Sequence, residues 1–177
     1  LPISSLGDRA RLHLKHTHTH MHTHTHKIST RIITKKTTIK NKFKTLKEYK
    51  KDKVIIILNY PNNPTGYTPN KEEVNTIVDA IEELANKGTK VVTVVDDAYY
   101  GLFYEEVYQQ SIFTALTQVK SSNLLPVRLD GATKEFFAWG LRVGFITFGI
   151  EDETTQQVLE AKLKGLIRSN ISSGAMP

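Results

Sequence analysis

From Val54 onward the chain alternates between two textures. Short, continuous apolar runs rich in β-branched residues are separated by turn signals and by longer segments with helical spacing. "VIIILNY" over 54–60 predicts a buried strand covered on both faces. "YPNNPTGYTPN" follows as turn chemistry, with Thr68 as N-cap and Pro69 as first helical residue. Val74, Ile77, Val78, Ile81, Leu84 and Ala85 then form one stripe of a helix over 69–86, ended by Gly88. "KVVTVV" over 90–95 is a second buried strand, "SIFTALTQV" over 111–119 a short helix, and "LLPVRL" over 124–129 a third strand made less regular by Pro126. "RVGFITFGI" over 142–150 is a fourth strand. A last helix over 152–168 carries Val158, Leu159, Ala161, Leu163 and Leu166 as its apolar positions. Strands alternating with helices imply βαβ units, so the expected fold is α/β: three layers, with a mostly parallel sheet flanked by helices.

Residues 1–45 break this pattern and are expected to be a low-complexity basic segment, disordered or non-native, with the folded part at 46–177. All seven histidines lie in "HLKHTHTHMHTHTH", from His13 to His26. Histidines two apart share a face of an extended strand and suit zinc, nickel or copper. The same text also reads as a translated CA-dinucleotide repeat, and it has no acidic residues to orient the imidazoles. No specific metal site is therefore expected. Residues 27–53 mix basic residues with Thr and Ile, and Phe43 and Tyr49 are the segment's only aromatics. With so few stacking partners it reads as a solvated segment rather than a nucleic-acid-binding arm.

Charge follows the same division. Residues 1–53 hold 14 Lys and Arg against three acids, about +11, while residues 54–177 hold 10 against 15, about −5. The net +6 is thus not a property of the patterned part. Cysteine is absent, which removes disulfides and thiolate chemistry and fits a reducing, cytoplasmic compartment. No apolar run approaches the 18 or more residues of a membrane span.

The chemistry collects where the strands end, the edge at which open α/β sheets bind ligands. Asn63 lies just past the first strand, Asp96, Asp97 and Tyr99 just past the second, and Lys134 just past the third. The connection to the fourth strand is either a short crossover or a turn back to an antiparallel strand. In the second case Arg142 starts on the same edge. Lys134 alone reads as a snorkelling lysine beside "EFFAW". An amine, a guanidinium, a carboxylate, a phenol and an amide on one edge read differently. They complement the aldehyde, phosphate, ring nitrogen and ring oxygen of pyridoxal phosphate.

Three motifs in order carry a family resemblance. "NNPTG" (62–66), "DDAYYGLFY" (96–104) and "ATKEFFAWGLRVGF" (132–145) resemble those of fold type I pyridoxal-phosphate enzymes, in particular class I and II aminotransferases. The resemblance covers residues 46–177, part of that family's large domain. It implies an amino-group transfer from an amino acid to a 2-oxo acid, with pyridoxal 5'-phosphate as cofactor. Lys134 would be the Schiff-base lysine and catalytic base. Asn63 and Tyr99 would bind the ring oxygen, Asp96 would pair with the ring nitrogen, Arg142 would clamp the phosphate, and Thr133 could add a hydroxyl. Arg168, in "LIRSNISS", resembles an arginine that crosses a homodimer interface to a substrate's side-chain carboxylate; it also suits a helix C-terminus.

Some features depart from the family. Gly131 stands where many relatives carry a phosphate-binding serine. The His-Thr repeat occupies the place of the upstream phosphate loop and ring-stacking aromatic, and the family's small domain would be expected beyond Pro177. An internal fragment is therefore expected, with sheet and helix surface left exposed. Related lyases and synthases share the lysine. An inactive remnant with a His- and Lys-rich arm, binding metal or nucleic acid, is the reading from another class. No membrane or nucleic-acid partner is expected.

Overall fold

The structure is a computed structural model that describes residues 29–33, 52–138 and 143–170. Its elements in chain order are β1 (Ser29–Ile33), β2 (Lys53–Asn59), α1 (Lys71–Asn86), β3 (Lys90–Asp96), α2 (Ile112–Leu116), β4 (Leu124–Gly131), α3 (Ala132–Glu135), β5 (Gly144–Phe148) and α4 (Glu153–Asn170). The five strands form one sheet in the order β1-β2-β3-β4-β5. β1 to β4 pair in parallel, and β5 returns antiparallel to β4 with Gly131 opposite Gly144. The open question about the connection after the third strand is thereby answered: the chain turns back. β1 lies inside the 1–45 segment, which the sequence reading left without a folded element; the five residues STRII pair with Val54 to Leu58. The His-Thr repeat lies outside the described residues.

One face of the sheet holds the core. Val54, Ile56 and Leu58 of β2 and Val91 and Val95 of β3 are buried with Val74, Ile77, Ile81 and Leu84 of α1 and Leu116 of α2. Each such side chain contributes roughly 1.5–3 kcal/mol through burial. The predicted α1 stripe is the buried one, with Ala80 added and Val78 only partly buried. The strands are less symmetric than their apolar runs suggested. Burial along β2 and β3 alternates, so Ile55, Ile57, Val92 and Val94 on the second face are half-buried. Among the described residues, α1 and α2 pack on the first face.

Two boundaries differ from expectation for local reasons. α1 starts after Asn70, not Thr68. The Asn70 side chain accepts from the Glu73 N–H at 2.9 Å, and the Glu73 carboxylate accepts from the Asn70 N–H at 3.0 Å, a reciprocal capping box. α4 forms, but its apolar stripe is not buried. Leu159 and Leu163 are half-buried, Val158 and Leu166 are exposed, and nothing among the described residues covers them. β5 is similar, with Phe145 60% exposed.

Candidate active site

The register of the sheet determines what can meet. Asn59 at the end of β2 is paired with Asp96 at the end of β3, and Asp96 with Leu129 near the end of β4. Three loops therefore leave the sheet at one level, on the carboxyl edge of parallel strands. Each brings one of the sequence motifs.

The loop after β2 is a closed turn. The Gly66 N–H donates to the Asn62 carbonyl at 2.7 Å, the Asn62 N–H to the Tyr67 carbonyl at 3.0 Å, and the Thr65 hydroxyl to Asn62 Oδ1 at 2.6 Å. Gly66 has φ +69°, a conformation that glycine adopts without steric cost. This turn presents the Asn63 side chain outward, where its Nδ2 donates to the Tyr99 hydroxyl at 3.0 Å. Tyr99 arrives from the loop after β3. Two donors this close can converge on a single acceptor atom placed between them.

Asp96 is anchored at both oxygens. Oδ2 accepts from Asn59 Nδ2 at 3.1 Å and Oδ1 from the Ala98 N–H at 3.2 Å. Each carboxylate oxygen has two lone pairs, so Asp96 can still accept from a further donor. Lys134 arrives from the third loop. β4 runs straight into the one-turn helix α3, and the Lys134 amine stands 5.4 Å from the centre of the Tyr99 ring. Lys134 is exposed rather than buried among the aromatics, and Phe136 and Phe137 beside it are exposed as well. The packed, snorkelling lysine is therefore not what the fold contains.

Of the remaining site residues, Thr133 is half-buried in α3 directly before Lys134. Arg142 lies outside the described residues. Arg168 is exposed in the last turn of α4, and no described hydrogen bond or ion pair joins it to the cluster. Gly131 sits where β4 and β5 approach closely: a Cβ there would meet the Val143 carbonyl oxygen at 3.1 Å. The strand pairing thus gives a steric reason for glycine at the position where many family members carry a serine.

Two contributors were missed by sequence reasoning. Asn59 read as the end of a strand, though it touches both the Asp96 carboxylate and the Asn63 loop. Asp97 has no role of its own in the sequence motif. Its side chain, 2% exposed, instead pairs with Arg128, whose Nε donates to Asp97 Oδ2 at 2.6 Å. Arg128 Nη2 also donates to Asp130 at 2.7 Å, and the guanidinium lies 5.5 Å from the Tyr100 ring centre. Burial pushes the Asp97 carboxyl above its ordinary range, against the opposing pull of Ser111 and Arg128. Successive residues point to opposite sides of an extended strand, so Asp96 and Asp97 serve different faces.

Comparison with known proteins decides the family. The aminotransferase class I and II family matches residues 15–177. The chain belongs to that family. An aspartate aminotransferase of Thermococcus kodakarensis is 32% identical over 111 residues, covering 62% of this chain and 26% of that protein. An aspartate aminotransferase of Pyrococcus horikoshii is 27% identical over 130 residues, covering 72% and 29%. The crystal structure of an aminotransferase from Anaerococcus prevotii superposes with a TM-score of 0.65 at 27% identity, covering 77% of this chain and 34% of that one. An aromatic-amino-acid aminotransferase from Burkholderia pseudomallei, described as covalently bound to pyridoxal phosphate, shares the fold with a TM-score of 0.59 at 23% identity, covering 78% and 33%. The chain thus spans about a quarter to a third of the length of the relatives it matches. Among the described residues no helix is long and apolar enough to cross a membrane.

Proposed function

We propose that the chain carries the cofactor-holding part of a pyridoxal-phosphate-dependent aminotransferase that moves an amino group from an amino acid to a 2-oxo acid. One observation carries the reading. Asn63, Tyr99 and Lys134 come from three loops, and the Asn63 amide and Tyr99 hydroxyl lie 3.0 Å apart with the Lys134 amine 5.4 Å from the Tyr99 ring centre. The donor set fits the group. The amine suits an aldehyde, the adjacent amide and phenol suit one anionic ring oxygen, and the anchored Asp96 carboxylate suits a protonated ring nitrogen.

When bound, pyridoxal 5'-phosphate supplies an electron sink for a carbanion. The chain's own residues do the rest. Lys134 would hold the cofactor through its Nζ, and its amine, when free, would act as the base that moves the α-proton. Its exposure and its place on a one-turn helix leave it room to move between these tasks. Asp96 would keep a proton on the ring nitrogen, which makes the sink effective. Asn63 and Tyr99 would donate to the ring oxygen and stabilise negative charge there. Arg142 as a phosphate clamp and Thr133 as an added hydroxyl donor belong to the same reading.

Arg168 is proposed as a substrate-binding residue that reaches the neighbouring subunit of a homodimer. The names of the two archaeal relatives support an acidic amino donor. Guanidinium suits that role because it grips carboxylates in bidentate fashion. The homodimer and a cytoplasmic location rest on family kinship. The first test is titration of the chain with pyridoxal 5'-phosphate. A visible absorbance band should appear and be absent in Lys134→Ala. A band that survives in Lys134→Ala removes Lys134 from the role.

A further inference from the structure

Between the two cofactor-facing motifs lies one side chain that belongs to neither. Asn59 is the last residue of β2, and all its polar atoms are used. Its Nδ2 donates to Asp96 Oδ2 at 3.1 Å, and its Oδ1 accepts from the Asn63 N–H at 3.1 Å and from Asn62 Nδ2 at 2.9 Å. Asn62 is buried, and its own Oδ1 accepts from Thr65, so the whole 62–66 turn hangs from Asn59. Asn59 and Asp96 are direct register partners in the sheet, which sets the distance between them without help from a flexible loop.

We infer that Asn59 is a positioning residue that sets the Asp96 carboxylate and the Asn63 loop at a fixed separation. In the proposed reading these two groups would face the ring nitrogen and the ring oxygen. The inference rests on the reading under Proposed function. An amide does this uniquely well. It offers a donor to a carboxylate and an acceptor to an N–H at once, two bonds apart on one planar group. Alanine loses both arms. Aspartate keeps the acceptor for Asn63 but loses the donor and sets a second carboxylate against Asp96.

The two arms can be read separately. In the cofactor-free chain, backbone hydrogen exchange at Asn63 should accelerate about tenfold in Asn59→Ala, the loss of one hydrogen bond, and stay near the wild-type rate in Asn59→Asp. With pyridoxal 5'-phosphate, Asn59→Ala should weaken binding about tenfold. Asn59→Asp should displace the pH midpoint of the bound cofactor's absorbance by about one unit, because a charge has been added beside Asp96. Far-ultraviolet circular dichroism establishes that each variant is folded; if alanine is not tolerated, the Asn59→Asp pH profile decides. Wild-type binding with unchanged affinity and pH profile in the folded variants overturns the inference and leaves the proposed function standing. Failure of the wild-type chain to bind the cofactor overturns both.

Discussion

Replacing Arg128 by leucine tests how the carboxyl edge is held together. The substitution removes two donors at once, Nε to Asp97 and Nη2 to Asp130, and leaves Asp97 almost fully buried with only Ser111 as a side-chain partner. Breaking a buried ion pair costs roughly 3–5 kcal/mol. The Arg128 side chain is 28% exposed, so water partly compensates, and roughly 2–3 kcal/mol is the fitting range for the Asp97 arm. The Asp130 arm and the contact with Tyr100 are nearer the surface and add up to about 1 kcal/mol together. The expected loss is thus about 3 kcal/mol. In urea unfolding followed by circular dichroism this displaces the midpoint by about 1.5 M, for a slope of about 2 kcal/mol/M.

Acid should reverse part of that loss. Burial already holds the Asp97 carboxyl above its unfolded value, and removing Arg128 takes away a contribution that lowers it. The folded state then binds a proton more readily than the unfolded chain. Stability is greatest below the unfolded pKa, about 3.9, and falls as pH rises through the higher folded value. The deficit of Arg128→Leu should therefore shrink as pH is lowered from 7 towards 4. Adding Asp97→Asn should recover most of it at neutral pH. A loss below about 0.5 kcal/mol, the ordinary range for surface substitutions, or a deficit that grows on acidification, refutes the buried-pair argument.

Other expectations follow from single contacts. Asn70→Ala removes the acceptor of the α1 capping box and should cost about 1 kcal/mol, read as a lower urea midpoint with unchanged slope. Gly66→Ala forces a side chain into φ +69° and should cost about 1 kcal/mol while weakening cofactor binding, because the turn presents Asn63. Gly131→Ser should lower stability, since its Cβ meets the Val143 carbonyl at 3.1 Å; a variant as stable as wild type would mean that β5 yields easily. In a full-length homologue, changing the equivalent of Arg168 to leucine should reduce turnover of aspartate selectively over alanine; equal loss for both donors returns Arg168 to a helix-end role.

What the sequence determined by itself is what depends on short-range order. Apolar runs and 3.6-residue spacing identified the strands and every helix but the one-turn α3 from 54 onward, and three motifs in order pointed to the family and to Asn63, Asp96, Tyr99 and Lys134 as candidate site residues. The turn around Gly66 followed from its Pro, Asn and Gly content. Tertiary structure decided whatever depends on pairing across the sheet. The antiparallel return of β5, the strand at 29–33 and the close approach at Gly131 are matters of register, which local sequence does not encode. Both aspartates of "DDAY" look alike in the text. The pleat sends one to Asn59 and the other to Arg128 in the interior. Asn59 carries no motif of its own, and its role arises because β2 and β3 end level with each other, so that one amide reaches both loops. The stripe on α4 was correctly spaced yet is only partly covered among the described residues, because periodicity records which face is apolar and only a packed neighbour can bury it.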